Sequence, residues 1–113
     1  MTNVIDLTLN ELANKIKSKE ISSTEVTSAY VERSKSSKKL NTYVEETFEQ
    51  ALKDAKKFDS KPDFEKKLPG IPLAVKDLFC THNVRTTASS KILKNFIPSY
   101  ESTVTQNLWD AGA

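Results

Sequence analysis

Lys76 occupies a position where a base could be built. It ends a short apolar run, Leu73-Ala74-Val75, and functional side chains in α/β architectures gather at strand ends and in the loops that follow them. A lysine acts as a general base only when neutral. With an unperturbed pKa of about 10.4, only about one molecule in two thousand is neutral at pH 7, so burial has to supply the shift. On the residues alone, the position better suits a long basic side chain that snorkels from a strand end to water.

Asp77 follows directly. Successive side chains of a strand point to opposite faces, so Asp77 need not pair with Lys76, and it also suits a carboxylate that caps a loop by accepting backbone N–H bonds. His82 has no Cys, Asp or second His at a metal-binding spacing and reads as a surface imidazole. Cys80, the single cysteine, excludes an internal disulfide and reads as a small buried apolar residue. Trp109 falls in helical register with Val104 and Leu108, which makes it a core residue rather than a stacking platform. With only Gly70 and Gly112 in the chain, there is no glycine-rich phosphate loop and no G-x-S-x-G elbow. No cofactor or metal is expected on this chain.

The elements that must position Lys76 begin with two capping boxes. Thr8 with Glu11 opens a helix over residues 9–18, and Ser22 with Glu25 opens a second that fades in the Ser/Lys-rich stretch 34–39. Residues 41–46 predict a short strand. Phe48, Ala51, Leu52, Ala55 and Phe58 then mark a third helix with an apolar stripe and a Lys/Glu-rich outer face. A polar loop over 60–67 leads to Leu68-Pro69-Gly70-Ile71-Pro72 and a buried strand at 73–75. The hydroxyl-rich stretch 86–90 is expected to cap a short helix near 91–95. Ser102 or Thr103 is expected to cap a last helix that Gly112 closes. The fold class is therefore α/β: a mainly helical part, 1–67, and a strand-loop-helix part, 68–113, within one domain.

The 113 residues are the size of one domain, 37% apolar and 28% charged. The 17 basic and 15 acidic side chains divide evenly along the chain, so there is no basic stripe for direct nucleic-acid binding. The start MTNVIDLTLNEL matches neither a secretory signal nor a transit peptide, and the cytoplasm is the expected compartment.

The run LPGIPLAVKDLFCT, with VRTTASSKILKNFIPSYESTV and NLWDAGA after it, resembles the amidase-signature family. Within that family it is most similar to the glutamine-hydrolysing subunits that serve tRNA amidation. The resemblance implies a mixed sheet, of which this chain would hold only the first strands and helices. It implies a Ser-cisSer-Lys hydrolase in which Lys76 activates a bridging serine, and that serine activates the nucleophile. Both serines are expected downstream of Ala113, and neither Ser89 nor Ser90 replaces them, so the chain alone is expected to be inactive. The implied partners are B-type and C-type subunits in a heterotrimer, with glutamine as substrate and Glu-tRNA(Gln) reached through the complex. ATP and Mg are used by that assembly and not by this chain. Another small-amide amidase, or a non-catalytic helical interaction module, would also account for the residues.

Overall fold

The structure, a computed structural model, describes residues 3–113. Among the described residues there are four α-helices: α1 (Leu9–Lys17), α2 (Ser23–Ser36), α3 (Phe48–Ser60) and α4 (Thr103–Asp110). Single 3-10 turns occur at Val4–Asp6 and Lys38–Leu40.

Each of the first two helices starts where its box predicts. The Thr8 and Ser22 hydroxyls accept from the amides of Glu11 and Glu25, and the two glutamates accept in return from the Thr8 and Ser22 amides, each at 2.7 Å. These bonds satisfy amides that a helix start otherwise leaves unpaired. α1 stops in a Schellman turn, with Lys19 left-handed at φ 62° and the Lys19 and Glu20 amides donating to Ile16 and Lys15 carbonyls. Gly112 closes α4 in the same way: at φ 101° its amide reaches the Trp109 carbonyl while that of Ala113 reaches Leu108.

The core is built from Leu12, Ala13 and Ile16 of α1, Val26 of α2 and Ile71. Tyr30, Phe58, Phe64 and Leu68 pack around it. Burying such side chains contributes roughly 1.5–3 kcal/mol each. Small polar residues complete the inner face of α2, where Ser23 and Thr27 are buried beside Val26 and Val31. An apolar-stripe reading of the helix passes over them. Gly70, at φ 62°, lies so close to α2 that a Cβ there would stand 2.6 Å from the Ser23 hydroxyl oxygen.

Among the described residues there is no strand, which corrects the expectation of a sheet within this chain. Residues 73–75 have no regular secondary structure, and their backbone makes no hydrogen bond to another described segment. Residues 41–46 form an exposed loop. A strand exists only as part of a ladder, so apolar, β-prone residues stay irregular where no partner lies alongside. The helix expected near 91–95 is a set of tight turns: the Leu93 and Lys94 amides reach back three residues to Ser90 and Lys91. Trp109 is exposed rather than buried, with its indole N–H donating to Glu101. No helix among the described residues is long and apolar enough to cross a membrane.

Candidate functional site

The Lys76 segment leaves the core at Ile71 and is fixed from behind by α4. The Leu68 and Gly70 amides donate to the carbonyls of Ala111 and Gly112 at 2.8 and 2.9 Å, so the end of α4 lies directly against the chain entering the site. Pro69 is fully buried there. Pro72 follows, its own φ fixed by the ring.

At the far end of residues 73–75 the chain turns sharply. The Lys76 carbonyl accepts from the Leu78 and Phe79 amides at 2.8 and 3.1 Å. The Lys76 side chain is exposed and takes no part in the ion pairs of the described residues, Lys15–Glu20, Lys38–Glu46 and Arg85–Glu45. No serine hydroxyl among the described residues hydrogen-bonds it. Residues 3–113 thus leave the Lys76 side chain unburied.

Asp77 behaves as a loop cap. One carboxylate oxygen accepts the Thr87 amide at 2.8 Å, the other accepts the Thr87 hydroxyl, and the Asp77 carbonyl accepts the Ala88 amide at 2.7 Å. Thr87 itself is buried. Residues 86–90, expected to cap a helix, instead hold the site loop through Thr87. Ala88 and Ser89 both have positive φ, 48° and 59°, with the Ser90 amide returning to the Thr87 carbonyl at 2.8 Å. That is the signature of a type I′ turn without the glycine such turns favour. Ser89 and Ser90 thus serve the turn through their backbones.

The loop following Asp77 is bracketed by residues 96–105. Backbone bonds join Asn83 to Pro98, Thr86 to Phe96 and Ser102 to Cys80, at 2.8–3.0 Å. Glu101 accepts the His82 amide and the Trp109 indole N–H, tying the loop to α4. Burial pushes the Glu101 carboxyl up, but the donors from His82, Trp109 and Thr105 outweigh it and hold the group below its ordinary value. His82 is a surface imidazole, as its sequence setting indicates. Cys80 is half-buried, and its thiol lies 3.4 Å from the Tyr100 hydroxyl.

Arg85 is a positioning element that motif reading misses. Its guanidinium reaches Glu45 at 2.8 Å and the carbonyls of Lys94 and Val44 at 3.0 and 3.2 Å, joining three loops. Only its lone positive charge in a hydroxyl-rich stretch hinted at the role.

The arrangement of the Lys76 loop coincides with a match to a known family. The family model for Amidase covers residues 25–113, four-fifths of the chain, Lys76 included. The chain belongs to the amidase family. It is 60% identical over its whole length to the A-type subunit of glutamyl-tRNA(Gln) amidotransferase from Pelagibacter ubique. It is 50% identical, again over its whole length, to the protein of that name from Hyphomonas neptunium, and 45% identical over 99% of its length to that from Rickettsia bellii. The chain spans 23% of the Pelagibacter and Rickettsia proteins and 24% of the Hyphomonas protein. In this amidase-family chain the loop-capping aspartate and the candidate lysine are consecutive, while the helices supply the frame.

Proposed function

We propose that this chain is part of the glutamine-hydrolysing subunit of a glutamyl-tRNA(Gln) amidotransferase, with Lys76 as the lysine of a Ser-cisSer-Lys triad. The observation that carries the reading is the 60% identity to a protein named as the A-type subunit of that enzyme, maintained across all 113 residues. Neutral Lys76 draws a proton from a bridging serine, which draws one from the nucleophilic serine. The nucleophile attacks the side-chain amide carbonyl of glutamine; the proton taken up is returned through the bridging serine to the amide nitrogen, the C–N bond breaks and ammonia leaves, and water then releases glutamate from the acyl-enzyme. The ammonia converts Glu-tRNA(Gln) to Gln-tRNA(Gln) in the cytoplasm, on an assembly with B-type and C-type subunits.

ATP and Mg activate the tRNA-bound glutamate on a partner subunit. The residues of this chain do not fit that role: no three His, Cys, Asp or Glu side chains converge among the described residues, and neither glycine lies in a phosphate-cradling loop.

In the complete protein, residues 73–75 are an inner strand of a mixed sheet, and segments beyond these 113 residues cover Lys76. Support comes from the backbone of 73–75, which makes no hydrogen bond among the described residues, and from the exposure of Leu73 within it and Leu78 just after it. Such apolar exposure is what a monomeric surface avoids. By itself the 113-residue chain is expected to hydrolyse no glutamine, because no serine among the described residues engages Lys76.

The deciding experiment is Lys76→Ala in the complete amidotransferase. Glutamine-dependent transamidation is expected to fall by about 10²–10⁴-fold or more, the range for loss of a general base. Transamidation supported by added ammonia should persist. Undiminished glutamine-dependent activity would remove Lys76 from the mechanism.

A further inference from the structure

The Asp77–Thr87 contact carries an inference about how Lys76 is aimed. Three hydrogen bonds join Asp77 to the 87–88 step, two on its carboxylate and one on its backbone carbonyl. The neighbouring lysine side chain, by contrast, is tied to nothing among the described residues. Thr87 is buried, and its hydroxyl oxygen also accepts the Ser89 amide at 3.3 Å. The turn holding Thr87 places two residues that carry a Cβ, Ala88 and Ser89, at positive φ, a sterically disfavoured conformation that persists only where the surroundings over-determine it.

We propose that Thr87 is a positioning residue for Lys76, acting through Asp77. With both carboxylate oxygens engaged by Thr87, Asp77 is held away from the lysine rather than offered to it as an ion-pair partner. With its carbonyl engaged by Ala88 as well, and the Lys76 carbonyl engaged by the Leu78 and Phe79 amides, the turn that launches the lysine side chain is restrained on both sides. The flexible four-carbon stem is then aimed from a fixed root, which matters because a displacement of about 1 Å at a reacting group costs on the order of 10²-fold in rate. The inference rests on the triad reading of Lys76.

The test uses the complete amidotransferase and measures glutamine hydrolysis. Thr87→Val removes the hydroxyl and keeps the shape. It is expected to lower kcat by about ten-fold or more while the glutamine KM stays within about two-fold, and Thr87→Ser is expected to restore kcat to within about two-fold of wild type. Combined with Lys76→Ala, Thr87→Val should produce no further fall in the residual rate, because its effect passes through the lysine. Should Thr87→Val not accumulate as folded protein, Asp77→Ala against Asp77→Asn carries the same comparison, since asparagine can still accept the Thr87 amide and alanine cannot. An unchanged kcat in Thr87→Val, a Thr87→Ser enzyme as slow as the valine variant, or an equal further loss on the Lys76→Ala background would each overturn the proposal. A Lys76→Ala enzyme with wild-type turnover overturns the triad reading and this one with it. A dead Lys76→Ala enzyme beside an unaffected Thr87→Val enzyme overturns this one alone.

Discussion

Ser23 donates its hydroxyl to the carbonyl of Gly70 at 2.5 Å across 47 positions of sequence, and both residues are buried. This bond ties the first turn of α2 to the chain that enters the Lys76 segment. It also explains the glycine: at φ 62° and in contact with Ser23 and Phe58, position 70 has room for no side chain.

Two substitutions probe that contact. Ser23→Ala leaves a buried carbonyl unpaired and should cost about 1–3 kcal/mol. Gly70→Ala should cost more, because a left-handed conformation with a Cβ costs about 1–2 kcal/mol and the overpacking about 1–3 kcal/mol besides. Urea midpoints of the two variants would check the order, and a Gly70→Ala protein as stable as wild type would contradict the packing described.

Asp59 of α3 accepts the Ser23 and Thr24 amides, each at 2.9 Å, together with the Thr24 hydroxyl, and so caps the start of α2 from outside. Asp59→Ala is expected to destabilise by about 1–2 kcal/mol, as loss of a helix cap and of an anion at a helix N-terminus does. Asp59→Asn, which keeps one acceptor, should lose less. Hydrogen exchange at the Ser23 and Thr24 amides would report the change locally.

Stability should fall on the acid side. Backbone and side-chain hydrogen bonds from Thr8 and Ser22 hold the Glu11 and Glu25 carboxyls below their ordinary value of 4.5. A carboxyl depressed in the folded state contributes stability that is present above its unfolded value and lost as pH falls through its folded value. Midpoints should therefore drop as pH is lowered below 4.5, and the double variant Glu11→Gln, Glu25→Gln should show a shallower drop. Equal acid sensitivity in the double variant would show that the capping boxes are not its source.

The 113-residue chain on its own should give a helical circular dichroism spectrum from the core of α1, α2 and α3 and yet associate with itself. Ile92 is 94% exposed, and Ile97, Val104 and Trp109 are exposed with it. Sedimentation of wild type against Ile92→Lys, Ile97→Lys would test this. A monomer in both would show that these exposed side chains are tolerated in water.

The helices were legible because their signals are local. Thr8 with Glu11, Ser22 with Glu25, and the spacing from Phe48 to Phe58 mark α1, α2 and α3 within a residue or two, since a capping box and a 3.6-residue stripe need only neighbours in sequence. Ser102 and Gly112 mark the two ends of α4 for the same reason. The strand reading at 73–75 failed within this chain because pairing is non-local: an apolar run becomes a strand only where a ladder partner lies alongside, and no described residue pairs with these three.

At the candidate site, the sequence alone determined the residue types, the adjacency of Lys76 and Asp77, and the family pattern in which they lie. The tertiary structure decided what each neighbour does. It directed Asp77 onto Thr87 ten positions on, made residues 86–90 a clamp rather than a helix cap, and set Arg85 between Glu45 and Lys94. It also left Lys76 and Trp109 exposed. The physical reason is that capping and periodicity are settled over three or four residues. The partner of a carboxylate and the burial of a lysine or an indole depend on what the rest of the chain brings alongside them.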